Sequence, residues 1–183
     1  GAVTIEIAEA GFGNADGPAT DLAWGLVVDT DGASVGSSFE TDFLATAQTA
    51  LAGFVLPALG ERAALFGEYA FIRSTSNSTA LPPFLGGTPG NFGFATFDYD
   101  NGIDGGEDYG LMWFSPVNPD IINAGDLFGF QDIGNLPASE SADINISDIT
   151  VPENTSIDVV PEPNAFGLLG ALAVGLVVVR RRA

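Results

Sequence analysis

Val3, Ile5 and Ile7 alternate with Thr4 and Glu6, the two-residue period of a strand with one buried face. Further strand candidates follow along the chain. Leu22–Val28 runs apolar up to the turn signal Asp29-Thr30-Asp31-Gly32, and Glu68–Thr75 leads into a Ser/Asn/Thr run at 74–79. Phe92–Tyr99 enters a loop of Asp and Gly from which Tyr109–Phe114 emerges, and Leu127–Gln131, Ile144–Ile146 and Ile149–Val151 complete the series. Gly and Pro punctuate these segments throughout. Short strands at turn-marked intervals predict an all-β fold, an antiparallel β-sandwich. One segment breaks the pattern: Phe43, Ala47, Leu51 and Phe54 fall at helical spacing. A short helix near 42–54 is predicted there, with Thr41 or Asp42 as its cap and Pro57 as its stop.

Three segments pair an aromatic residue with glycine inside an apolar run: Trp24-Gly25-Leu26-Val27, Tyr109-Gly110-Leu111-Met112-Trp113-Phe114 and, more weakly, Phe128-Gly129-Phe130. No fixed period links them, so they do not make a repeat.

Composition narrows the chemistry. The 183 residues include 24 Asp+Glu, five Arg, and no Lys, His or Cys, for a formal charge of −19. Without His there is no Ser-His-Asp or Cys-His machinery. Without His and Cys the usual ligands of zinc, haem and iron–sulfur clusters are missing. Without Lys there is no Schiff-base chemistry and no P-loop lysine. The charge would repel nucleic acid. Acidic chains of this kind can be disordered, but here both Trp, all three Tyr and all Phe except Phe166 lie before residue 161, which argues for a folded body.

Charge is also unevenly placed. All the acids except Glu162 lie within residues 1–160, whereas Arg180, Arg181 and Arg182 close the chain. Before them, Ala165–Val179 has no polar side chain. As a helix this run is about 22 Å long, short for a hydrocarbon core of about 30 Å, with flanking residues and snorkelling Arg stems covering part of the mismatch. Pro163 suits a helix start. The Arg cluster suits the negative end of the helix dipole and holds that end in the cytoplasm. The alternative is a buried core helix, which rarely ends a chain apolar on every face with three Arg behind it. A transmembrane helix over 165–179 is therefore expected. The opening Gly1-Ala2-Val3 fits a chain whose signal peptide has been removed.

Val160-Pro161-Glu162-Pro163, a short apolar segment and a terminal Arg cluster together resemble the PEP-CTERM sorting signal. The resemblance implies export, transient retention in the inner membrane and recognition by exosortase, a membrane transpeptidase. Cleavage near Pro161-Glu162-Pro163 would follow, then display at the cell surface or release. The body, through its aromatic–glycine segments, resembles PEP-CTERM surface proteins of Verrucomicrobia-type bacteria, a group that supplies no activity to carry over. The expected organisation is an acidic β-rich extracytoplasmic domain at 1–151, a proline-stiffened linker at 152–160 and the sorting signal at 161–183.

Within the body, Asp98, Asp100, Asp104, Glu107 and Asp108 put five carboxylates into eleven residues with interspersed glycines. Calcium takes six to eight oxygens, so this loop is a calcium candidate; the plainer reading is a solvated acidic hairpin. It is not an EF-hand, because Tyr109 stands where the bidentate Glu would be. Asp29-Thr30-Asp31 is a poorer candidate. No catalytic residue is assigned, since paired carboxylates for glycoside hydrolysis cannot be told from solubilising acids. Trp24 and Trp113 are either core residues or stacking platforms for sugar rings. The N-x-S/T triplets beginning at Asn77, Asn145 and Asn154 are read as coincidence. The expected function is a non-enzymatic cell-surface or extracellular-matrix protein; the alternative is a carbohydrate-binding module acting on exopolysaccharide.

Overall fold

The computed structural model describes residues 2–7, 12–14, 17–30, 38–80, 91–99, 102–103, 108–135, 141–146 and 155–156. They form twelve strands and one helix: β1 (Ala2–Ile7), β2 (Gly13–Asn14), β3 (Gly17–Pro18), β4 (Leu22–Asp29), α1 (Ser38–Ala50), β5 (Arg62–Phe66), β6 (Tyr69–Arg73), β7 (Thr79–Ala80), β8 (Asn91–Asp98), β9 (Asp108–Val117), β10 (Leu127–Asn135), β11 (Ser141–Ile146) and β12 (Thr155–Ser156). The chain is mostly β. One sheet has the order β11-β1-β8-β7, a second β12-β10-β9-β4-β6-β5, and β2 with β3 makes a small ribbon. Every strand pairing is antiparallel except β1 with β11, which is parallel in the register Ala2↔Ser141 to Ile7↔Ile146. This corrects the fully antiparallel expectation. β10 and β11 belong to different sheets, so no tight hairpin dictates the direction in which β11 meets β1.

The six-stranded sheet is buried on both faces. On one face Leu22, Trp24, Leu26, Ile72, Leu111 and Trp113 share a core with Val3, Ile5, Ala95 and Phe97 of the four-stranded sheet. On the other, Ala23, Val27, Phe71, Met112, Phe114, Phe128 and Phe130 pack under α1 through Phe39, Phe43 and Ala47. Double burial explains why Leu22–Asp29 and Tyr109–Phe114 read as continuous apolar runs rather than alternating ones.

The helix lies four residues earlier than the pattern predicts. Phe43, Ala47, Leu51 and Phe54 are all buried as the spacing requires, but Phe39 extends the face toward the N-terminus. Phe43 stacks on Phe130 with ring centroids 4.5 Å apart and meets Tyr69 edge-on at 5.2 Å. The stop is Gly53 rather than Pro57. It takes the left-handed conformation (φ +84°) and its N–H donates to the Ile122 carbonyl at 2.7 Å. Strand β5 was not predicted; it forms the sheet's edge, half-buried and without clean alternation.

The aromatic–glycine segments have a packing cause. Neighbouring rings occupy the space that a side chain on each glycine would need. At Gly25 a Cβ would run into the Ile72 backbone carbonyl and also come within 2.8 Å of the Phe71 ring. Gly110 lies under Phe130, and Gly129 under the indole of its register partner Trp113. Across the core, a Cβ on Gly93 would come within 2.9 Å of Phe12.

No helix among the described residues is long and apolar enough to cross a membrane. The expected transmembrane segment 165–179, like Pro161, Glu162, Pro163 and Arg180–Arg182, lies outside the described residues, as does the strand expected at Ile149–Val151. Thr155 and Ser156, within the expected linker, pair with Phe128 and Leu127 at the edge of β10.

Because rings fill these positions, Gly110→Ala and Gly129→Ala should each destabilise the fold by about 1–3 kcal/mol, the usual cost of overpacking. Urea unfolding would show it as a lowered midpoint. Shortening the overlying ring (Phe130→Leu with Gly110→Ala, Trp113→Leu with Gly129→Ala) should make each pair non-additive, the second change costing less than it does alone.

Candidate functional site

Of the five residues expected to hold calcium, Asp98 is exposed at the end of β8, Asp108 opens β9, and Asp100, Asp104 and Glu107 lie outside the described residues. The described part of the loop is anchored by apolar residues. Tyr99 and Ile103 are buried in the core between the sheets, and the N–H groups of Gly102 and Ile103 donate to the Tyr99 carbonyl at 3.1 and 3.3 Å. The Arg62 guanidinium donates to the Gly102 carbonyl at 3.2 Å, setting a positive charge against the loop. Among the described residues no group of three or more carboxylates is placed to hold a metal ion.

Trp24 and Trp113 are both fully buried. They sit side by side in register on β4 and β9, with Phe12 between them at ring-centroid distances of 5.2 and 5.0 Å. Neither is available to stack on a sugar. Of the three triplets, Asn77 has both ends of its amide engaged. Its Oδ1 accepts from Arg73 Nη2 at 3.3 Å, and its Nδ2 donates to Asn118 Oδ1. Asn145 lies in β11, and Asn154 lies outside the described residues.

What the sequence did not single out is one end of the six-stranded sheet. Strand direction brings together there the start of β4 at Leu22, the end of β9 at Val117, the start of β10 at Leu127 and the Ser/Asn run after β6. The run is tightly held: Ser74 N–H donates to the Trp24 carbonyl at 2.8 Å, and Ser78 exchanges bonds with Leu22. Arg73 laces the loops, donating from Nη1 to the Pro57 carbonyl at 3.0 Å and from Nη2 to Asn77. Burial lowers its affinity for the proton, and the nearby Asp120 opposes that effect. Asp21 (φ 60°) and Asn118 (φ 46°) both adopt the left-handed conformation, joined by a bond from Asn118 N–H to the Asp21 carbonyl at 3.1 Å. An arginine inside the apolar strand Tyr69–Arg73, in a body with only one other cation, was the signal available in the sequence.

The same end carries a narrow two-loop platform. Gly53 and Ile122, Ile122 and Phe54, and Leu56 and Asp120 are joined by backbone bonds of 2.7, 2.9 and 3.0 Å. This ladder turns Phe54, Leu56 and Ile122 inward and leaves Val55 and Ile121, its bridged pair, 61% and 48% exposed. Leu59 and Val117 are exposed at the same end.

The opposite end holds the most perturbed titratable group among the described residues. Tyr69 is buried, and burial, reinforced by Glu68, Asp29 and Asp42, pushes its phenol from 10.0 up to about 12. It stays neutral at physiological pH and offers no general base. In the unfolded chain it ionises first, so the folded state loses stability as pH rises from about 10 through about 12. Denaturant midpoints should fall across that window, and Tyr69→Phe should remove up to about 2–3 kcal/mol of the fall. Compared with known proteins, the chain matches no family model, no curated protein and no solved structure.

Proposed function

We propose that this chain is an exported, non-enzymatic surface or matrix protein, an acidic β-sandwich held at the membrane by a C-terminal transmembrane helix and processed by exosortase. The observation that carries the reading is the order of three elements after residue 159: Val160-Pro161-Glu162-Pro163, the uninterrupted apolar run Ala165–Val179, and Arg180–Arg182. Their arrangement resembles the PEP-CTERM signal, and each part has a physical task. The proline-rich stretch keeps backbone extended for a processing enzyme, the apolar run partitions into lipid, and the arginines set its direction.

The body supports this reading in two ways. Its described cores are assembled from residues between Val3 and Ile133, ahead of the three elements. Its acids and lack of His, Lys and Cys suit a solvated, matrix-facing domain better than a catalytic one. At the surface its carboxylates would let divalent cations bridge it to acidic polymers, exopolysaccharide included. Calcium at Asp98, Asp100, Asp104, Glu107 and Asp108 remains part of this proposal. The carbohydrate-binding alternative is weakened, since both of its tryptophan platforms are interior.

Expressed in a host that carries exosortase, the mature protein should lose the mass of the residues beyond about 161, measured by intact mass spectrometry, or carry an added anchor there. Replacing Pro161, Glu162 and Pro163 by alanine should leave the full-length chain in the membrane fraction. An unprocessed wild-type chain found free in the cytoplasm would overturn the reading.

A further inference from the structure

Four of the five large apolar residues exposed among the described ones lie at the end of the body toward which β12 runs; the fifth, Phe94, is on β8 of the four-stranded sheet. Strand β12 runs antiparallel to β10, pairing Thr155 with Phe128 and Ser156 with Leu127. Beyond Ser156 the chain therefore leaves at the Leu127 end, where Val55, Ile121, Leu59 and Val117 are exposed. Eight residues, 157–164, separate that exit from the apolar run Ala165–Val179. Fully extended they span about 28 Å.

We infer that the Val55–Ile121 platform rests on the bilayer surface while the chain is membrane-anchored, a step that deepens the proposed function and rests on its transmembrane tail. The platform is suited to this by construction. Its two loops are cross-bonded and fixed beneath by buried Phe54, Leu56 and Ile122, so contact orders little chain. Four scattered aliphatic side chains would not hold a free protein to lipid. The short tether raises their effective concentration at the surface, so a weak contact suffices. Exposed Asp21, Asp120 and Glu61 stand at the same end and select against anionic headgroups, which makes a net-neutral phospholipid surface the partner. A second copy fits less well, because two chains of charge −19 repel each other.

The absence of cysteine makes the test direct. The full chain, carrying a single environment-sensitive fluorophore at Val55→Cys, at Ile121→Cys or, as a control, at the exposed Ala64→Cys of β5, is reconstituted into phosphatidylcholine vesicles with a headgroup-depth quencher. Alkaline carbonate extraction of the same vesicles reports tail insertion. The expected result is an inserted tail with at least twofold stronger quenching at positions 55 and 121 than at 64, reduced when anionic lipid is added. An inserted tail with equal quenching at all three positions would overturn the docking and leave the proposed function standing. An extractable chain would remove both. Labels shielded from water equally well without lipid, in a chain that sediments as a dimer, would assign the platform to a second copy and overturn the lipid contact.

Discussion

A six-stranded sheet buried on both faces has no polar side to spare, and its side chains must share a fixed spacing of just under 5 Å between strands. That constraint governs this protein. The nine aromatic rings of its strands cannot stand side by side on such a lattice unless some positions are vacated. Gly25, Gly110 and Gly129 vacate them, and Phe71, Phe130 and Trp113 lie across the gaps. Each glycine forgoes packing of its own and loosens the unfolded chain, and the ring laid over it restores the contact. The sheet thus fills much of its two faces with aromatic residues, where doubly buried strands commonly carry β-branched aliphatics.

A sheet with two covered faces leaves function to its ends and loops. Nearly all the charge must go there, and the acids gather in the turns, such as Asp29 to Asp31 and Asp98 to Asp108. The two body arginines are each set against backbone carbonyls, Arg62 at Gly102 and Arg73 at Pro57. They act as clamps between segments, a use that exploits the guanidinium's several donors. Arg73, with Asn77 and Asn118, converts four loops into one firm end. Strand β12 runs toward that same end, so in the proposed reading the strand order decides how the body is oriented on its anchor.

The elements legible in the sequence were those whose neighbours are local or whose burial is simple. Val3–Ile7 showed its alternation because β1 packs inward on one side. The apolar runs of β4 and β9 were recognisable as strands, although their lack of alternation concealed a helix covering the second face. Phe43, Ala47, Leu51 and Phe54 marked that helix; its start was missed because Phe39, one turn earlier, lies in Gly- and Ser-rich sequence, and its stop because Gly53 acts through a left-handed backbone that composition does not display. β5 escaped because an edge strand buries too little to imprint a period. The parallel meeting of β1 and β11 joins residues at opposite ends of the body, and no local pattern encodes it. The site followed the same rule. Val55 and Ile121, far apart in the sequence, are partners only because two separate loops bond to each other.

Charge then divides the molecule in a way that folding alone does not require. Residues 1–160 hold all but one of the acids, and the three clustered arginines stand on the far side of Ala165–Val179. A globule in one compartment would gain by mixing these signs, since the arginines could pair with carboxylates that now face one another. As proposed, their separation by an uncharged spacer, somewhat shorter than the hydrocarbon core, lets the two ends work in different surroundings. In the proposed reading the acidic body, held off anionic lipid by its own charge, touches the membrane through the few aliphatic residues of its exit end. In that reading the same repulsion keeps neighbouring copies apart until divalent cations bridge them.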